Sequence, residues 1–479
     1  MSNFLFYDFE TTGLAIGFDQ VLQAAAIATD PDLNPIPGAR LNERCRLLPH
    51  VLPSPTALWV TGVEPEGLEQ ADHSHWELMA AFERFANAYA PTIFVGHNSM
   101  GFDESVLRHA RFQSLLDPYL TNKFGNRRGD TMRWARAVWL FRPEDMTFPL
   151  TEAGRPSFKL GVFAAANGVA FSEEEAHDAL YDVEKTAELA AAIRRLSPPV
   201  WQAMLDNTAK QQAQRLMEES LFFAGGHVDR YNTQHRFIGA YAGFFQSEAA
   251  VWDLAHDPDD YAEQDVDALA TRIGWASSEP IKPMRLNAQP YACPTAVPSQ
   301  AYFDGLPALG EAEWTRRAKR LKANGRLRQK ILQAMQAKAG ARAEEAPGDH
   351  VEQRLYDGFI PRGDEPKMAR FLDAPPEERA ELIHQFEDKR LASFARRIVH
   401  IESPHALRPE TRAKLDQWRR ARLTGEEPAP WTTFKSARAE LAELRAAEGD
   451  QPLFGRIEAW LAERERALSD EPSPDKSAD

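Results

Sequence analysis

Residues 3–13 read NFLFYDFETTG, an apolar run that closes on two acids, Asp8 and Glu10. In a β-strand successive side chains alternate faces, so residues two apart project from one side. Asp8 and Glu10 therefore point together, and two carboxylates at close range repel unless something positive lies between them. A hydrated divalent cation meets that need, because hard cations such as Mg²⁺ take oxygen ligands. Two solvated acids at a strand end would read the same, so the choice turns on whether the rest of the chain supplies further ligands.

Two stretches do. GHNSMGFDESVL places Asp103 after Phe102, near the start of a predicted helix. EAHDALYDVEKTAEL carries His177 and Asp182 five residues apart, with Asp178 as the predicted N-cap of a second helix. Asp182 then sits in the first turns of that helix, rigidly held, and His177 lies on the loop before it, free to reach a substrate phosphate. Four carboxylates from three separated places, plus one imidazole, are what two-metal phosphodiester hydrolysis requires. The acids hold two cations, which activate a water and stabilise the leaving 3′ oxygen. The histidine takes the proton from that water, and Glu10 reaches the substrate end.

Around this constellation the chain reads as α/β over its first ~196 residues. FLFYDF, VLQAAAIATD, RCRLL and TIFVGHN are predicted strands. HWELMAAFERFANAY, GFDESVLRHARFQSLL, DTMRWARAVWLF, SFKLGVFAAANG and HDALYDVEKTAELAAAIRRL are predicted helices. Ser197-Pro198-Pro199 ends the last of these and marks a boundary. A helical connector follows, then a small β-rich region with strands in HRFIGAYAGFF, AAVWDLAHD and IKPMRLNA. A linker, EEAPGD, precedes a C-terminal helical region. The tail SDEPSPDKSAD has almost no apolar residue and is expected to be disordered. The divisions are 1–197, 198–348, 349–468 and a tail, 469–479.

The chain has 479 residues, 43% hydrophobic and 27% charged, with 11 Trp and 27 Phe, enough for several sizeable cores. No apolar stretch suggests a membrane span, no leader is apparent, and the two cysteines, Cys45 and Cys293, lack metal-binding spacing. A reduced, cytoplasmic, monomeric protein is expected. The net charge of −15 argues against a polyanionic partner, but its distribution does not. Residues 316–342 hold ten Lys/Arg and no acid, while 248–279 is rich in Asp and Glu. That basic stretch is a candidate surface for phosphates, or for an acidic partner segment.

DFETTG, HNSMGFDESVL and HDALYDVEKTAEL resemble the three motifs of the DEDDh superfamily of 3′–5′ exonucleases, with His177 marking the histidine subtype. VTGVEPEGL, RPSFKLGVFAAANGV, DGFIPRGDEPKM and EDKRLASFARRIVH extend the resemblance to the bacterial exodeoxyribonuclease I family, over nearly the whole chain. The resemblance implies an α/β RNase H-like exonuclease domain, an SH3-like β domain and a C-terminal helical domain, the last two enclosing a passage for single-stranded DNA. It implies Mg²⁺-dependent, processive 3′–5′ degradation to mononucleotides in DNA repair, with Mn²⁺ as an alternative ion. It also implies binding of the acidic tail of single-stranded DNA-binding protein.

Carried over by residue, Asp8, Glu10, Asp103 and Asp182 are metal ligands and His177 the proton acceptor. Glu10, Thr11, Phe102 and Lys159 contact substrate, and Arg142, Arg316, Arg317 and Arg320 are candidates for the partner tail. Phe102 and Trp134 are candidate stacking surfaces for bases, with core packing the leading alternative for either one alone. Two departures stand out: Lys159 replaces the family's arginine, losing its bidentate fork, and about two extra residues precede His177. Two other readings stay open, an RNA or short-oligonucleotide exonuclease with the same core and a non-catalytic single-strand-binding module.

Overall fold

The computed structural model describes residues 2–172, 174–343 and 348–470. The opening run forms β1 (Asn3–Thr11), the middle strand of a five-stranded sheet. β2 (Val21–Thr29) and β3 (Pro35–Arg44) follow it on one side, each antiparallel to its neighbour. β4 (Thr92–Gly96) and β5 (Arg127–Asp130) lie on the other side and run parallel to β1, giving the order β3-β2-β1-β4-β5. This is an RNase H-like sheet.

β1 is apolar on both faces because both are covered. Leu5, Tyr7 and Phe9 pack under α2 (His75–Ala88) and α3 (Asp103–Gln113). Phe4 and Phe6 pack under α4 (Thr131–Phe141) and α6 (Ala179–Leu196). The short helix α5 (Leu160–Ala166) packs beside α6, and α1 (Pro55–Thr61) packs against helices from the end of the chain.

The third strand differs from expectation. RCRLL begins where β3 ends, at Arg44; beyond it Cys45 still donates its N–H to the Leu22 carbonyl of β2 at 3.0 Å and bridges to His73. The strand itself is the polar PIPGARLNER, an edge with one face in water, which needs few apolar residues. Leu47 is apolar for another reason: it joins a core with Leu423, Phe434 and Phe454 from the C-terminal helices.

After α6 stops at Leu196, Pro198 opens α7 (Pro198–Asp206), and α8 (Lys210–Glu219) leads to a second sheet. Its strands β6 (Phe223–Val228), β7 (Gln234–Phe245), β8 (Glu248–Asp253), β9 (Ile281–Arg285) and β10 (Tyr291–Cys293) are all antiparallel, in the order β10-β6-β7-β8-β9. Trp201 of α7 meets Trp134 edge-on at 4.7 Å, and one hydrophobic core runs from Phe4 and Val138 through to Trp252 and Leu327. The change of architecture at 197 is thus not a gap in packing.

α9 (Val266–Ala270), α10 (Gln300–Phe303), α11 (Glu311–Ala323) and α12 (Gly325–Ala343) flank this sheet. The last two carry the basic stretch, and the chain uses much of that charge itself. Arg317 donates to the carbonyls of Leu254 and Ala255, Arg328 to Ala242, Lys330 to Ala262 and Gln264, and Lys338 to Ile273. Arg316 pairs with Asp257 and Glu313, and Arg320 lies 3.6 Å from Asp259. The acids of the neighbouring segment are partners for these bases. The Arg342 side chain lies outside the described residues, as do 344–347 of the expected linker.

The C-terminal region is helical: α13 (Glu365–Asp373), α14 (Pro376–Leu382), α15 (Lys389–Glu402), α16 (Pro409–Thr424), α17 (Phe434–Glu448) and α18 (Pro452–Asp470). α18 ends two residues beyond the expected 468, and 471–479 lie outside the described residues. Besides the core around Leu47, this region grips the first sheet's layers through further contacts. Phe394 packs on Phe112 at 5.2 Å. Glu352, 3% exposed, accepts from Arg397 at 2.8 Å and Arg422 at 3.1 Å, while Arg422 also donates to the His50 carbonyl. Among the described residues no helix is long and apolar enough to cross a membrane.

Candidate active site

Asp8 and Glu10 continue the face of β1 that begins with Phe4 and Phe6. Opposite them on β2 stand Ala25 and Gln23, and the register shifts just after Glu10, before Thr11 pairs with Val21. α6 packs along this same face through Val183 and Ala187. Asp178 caps it as expected, accepting from the N–H groups of Leu180 and Tyr181. The cap fixes the first turn, and that turn delivers Asp182. Carboxylate oxygens of Asp8, Glu10 and Asp182 all lie within 4.8 Å of one another.

Asp103 comes from the other side, as the first residue of α3, and is 6% exposed. β4 ends at Gly96, so β1 has no neighbour there to pair with its next N–H. The Asp103 carboxylate takes it, accepting from the backbone of Phe9, between Asp8 and Glu10. Asp103 stands outside the 4.8 Å triad but is close enough that its charge acts on both Asp8 and Glu10. His177 is exposed on the loop before α6, in the left-handed region at φ +67°. Its backbone N–H donates to Asp182, so the loop is anchored while the imidazole faces outward.

The four acids oppose one another's ionisation. Asp8 is raised well above the carboxylate range by burial and then by Asp103, Glu10 and Asp182. Glu10 is pushed up to about 8 by burial and the charges of Asp182 and Asp103. Burial raises Asp103 to about 7 and Asp182 to about 6, the latter opposed by His177. Oδ1 of Asp182 is buried with no hydrogen-bond partner among the described residues. A buried oxygen without a donor costs free energy unless something positive meets it. An all-oxygen, anionic donor set suits hard divalent cations, so these residues fit the metal that the sequence implies.

A cleft of about 590 Å³ opens beside Glu10, with Gln23, Asn42, Arg44 and Thr61 in its wall. Sequence reading passed over Gln23 and Arg44. The signal lay in strand register: Gln23 stands directly across from Glu10, and Arg44 directly across from Gln23. Arg44 donates to the Gln23 side chain at 3.1 Å and lies 3.8 Å from Asp178.

Of the other candidates, Thr11 donates its hydroxyl to the Gly13 carbonyl at 2.7 Å, and Phe102 is half-buried at the N-cap of α3. Lys159 is exposed at the N-cap of α5. Trp134 is corrected from a stacking surface to a core residue, because it is wholly buried between β5 and α7. Arg142 is tied to Asp145 at 2.7 Å, and Arg316, Arg317 and Arg320 hold the internal partners described above.

A family model described as Exonuclease matches residues 5–190, and one described as Exonuclease I C-terminal domain matches residues 349–464. The chain is 28% identical over 468 residues to the exodeoxyribonuclease I of Haemophilus influenzae, covering 94% of this chain and 96% of that protein. The crystal structure of Escherichia coli exonuclease I in complex with a dA16 oligonucleotide superposes with a TM-score of 0.81 at 25% identity, covering 98% of this chain and 100% of the other. A crystal structure of SSB/exonuclease I in complex with the inhibitor CFAM is similar at a TM-score of 0.78, 25% identity and the same coverage.

Proposed function

We propose that the chain, similar over nearly its whole length to exodeoxyribonuclease I, is a Mg²⁺-dependent 3′–5′ exonuclease that degrades single-stranded DNA processively to 5′-mononucleotides, in DNA repair and recombination. The observation that carries this reading is the convergence of Asp8, Glu10 and Asp182 within 4.8 Å, with a buried, unpartnered oxygen on Asp182. Asp103 completes the set from the opposite side.

Asp8, Glu10, Asp103 and Asp182 would hold two Mg²⁺ ions. When bound, these supply an acidified water and neutralise charge on the departing 3′ oxygen. His177, exposed on the loop before α6, would take the proton of the attacking water at an imidazole nitrogen. The water oxygen joins phosphorus, the bond to the 3′ oxygen breaks, and a 5′-mononucleotide leaves. Lys159 neutralises the scissile phosphate as a point charge. Glu10, Thr11 and Phe102 contact the terminal nucleotide, for which the adjoining cleft has room.

We read the second sheet with its helices (198–348) as an SH3-like module that, with the helical region (349–468), guides a single strand to the exonuclease domain (1–197). The protein acts as a monomer in the cytoplasm. An acidic tail of single-stranded DNA-binding protein would dock at Arg142, Arg316, Arg317 and Arg320. Such a tail must exchange with Asp145, Asp257, Glu313 and Asp259, carboxylate for carboxylate.

A 5′-labelled strand tests the whole reading. Stepwise shortening from the 3′ end, mononucleotide products and loss of activity with a chelator are expected. Internal cuts, shortening from the 5′ end, or faster loss of matched RNA would overturn it.

A further inference from the structure

β4 and β5 end side by side, with Gly96 in register with Asp130. From Gly96 the chain turns through 97–102 into Asp103; from Asp130 it turns into α4. Asp130 serves both turns. Its Oδ1 accepts from Met132 at 2.9 Å and Arg133 at 3.2 Å, capping α4, and from Asn98 at 3.1 Å. Its Oδ2 accepts from Met100 at 3.1 Å. Asn98 is held left-handed at φ +62°, a conformation asparagine tolerates.

Asp130 is 1% exposed, and its charge disfavours ionisation of Asp103. A serine would cap the helix without that penalty. The second oxygen, reaching the loop before Asp103, is what a serine lacks. The neighbouring Thr131 extends the arrangement: its hydroxyl meets His97 Nδ1 at 2.9 Å, and His97 Nε2–H donates to the Phe158 carbonyl at 2.7 Å, next to Lys159. A carbonyl only accepts, which fixes the imidazole tautomer.

We propose that Asp130, assisted by His97, is a positioning residue that fixes loop 97–102, placing Asp103 against β1 and holding that placement in register with the backbone of Lys159. The inference rests on the exonuclease reading above. It assigns Asp130 no contact with substrate.

The test is Asp130→Ser, which keeps a helix cap but cannot reach Met100. At saturating single-stranded DNA, kcat should fall about 100-fold, the effect of a displacement near 1 Å, while KM for DNA stays within about threefold. In the metal-free protein, amide exchange at Asn98 and Met100 should rise about tenfold or more, with Met132 and Arg133 unchanged. Calorimetric Mn²⁺ affinity should drop about tenfold. Unchanged kcat and Mn²⁺ affinity, or a loosened loop with full kcat, would overturn the proposal. If α4 also loses protection, Asp130→Asn decides, since its amide would face the Met100 N–H. A kcat loss with α4 intact supports positioning, and a loss only in step with α4 exchange overturns it. Exchange and calorimetry need no turnover, so they test Asp130 even if the wild-type chain were to hydrolyse no DNA.

Discussion

Two groups of buried acids in this molecule meet opposite fates. Glu352, between the C-terminal helices and the first sheet's layers, is enclosed by Arg397 and Arg422. Although burial pushes it up, those two guanidinium groups hold it below the ordinary glutamate range. Glu10 and Asp103 are buried and Asp8 and Asp182 half-buried, but these four face one another, and all four are raised. A charge neutralised by its own chain is architecture. A set of like charges that Arg44, the cation acting on Glu10, does not offset requires a partner from outside, and here that requirement coincides with the exonuclease motifs.

The largest expected effect lies in the second group. Asp182→Ala should lower Mg²⁺-dependent release of mononucleotides by about 10³-fold or more, with single-strand binding, read by fluorescence anisotropy, changed only a few-fold. Retained hydrolysis would remove the distinction between the two groups. His177→Ala should cost about 10²–10⁴-fold in turnover with calorimetric Mn²⁺ affinity unchanged, since its side chain is no ligand.

Glu352→Gln reports on the first group. It leaves two guanidinium groups uncompensated, and should destabilise the fold by about 3–5 kcal/mol in urea unfolding. The folded fraction should still cut DNA.

The pH dependence should then differ in sign. Asp182, Asp103 and Glu10 keep protons to about 6, 7 and 8 when folded, whereas the unfolded chain releases them near 4. Between those limits the folded state binds more protons, so stability in a chelator should fall as pH rises from about 5 to 8. Each acid contributes at most about 1.4 kcal/mol for every pH step of one between its unfolded and folded values. Mg²⁺ should abolish that slope. Glu352, being lowered, contributes stability above its unfolded value that is lost as pH falls through its folded value. Urea midpoints at several pH values, with and without Mg²⁺, separate the two. The smallest effect is expected at Arg320→Ala, whose pair with Asp259 is largely in water. The urea midpoint should not move measurably, and any change should appear only as weaker binding of an acidic peptide.

The convergence of Asp8, Glu10 and Asp182 was legible because charged residues stand where the surrounding pattern is apolar. Asp8 and Glu10 interrupt a buried strand, and Asp178 announces the helix that carries Asp182. What escaped depends on contacts distant in sequence. Gln23 and Arg44 acquire meaning only through cross-strand register. Asp130 looks like an ordinary helix cap until Met100 is seen to share it. The basic stretch looked available because its partners, Asp257 and Asp259, lie some sixty residues earlier. β3 was misplaced because an edge strand can be polar, while RCRLL owes its leucines to helices at the far end of the chain.

The hydrophobic core that runs unbroken from Phe4 to Leu327 bears on how this enzyme could have arisen or could be pared down. A gene shortened to residues 1–197 would keep Asp8, Glu10, Asp103 and Asp182, yet lay bare the flank where Trp134 meets Trp201. A compact descendant would have to trade that aromatic seam for hydrophilic side chains, so size reduction here demands resurfacing rather than simple deletion.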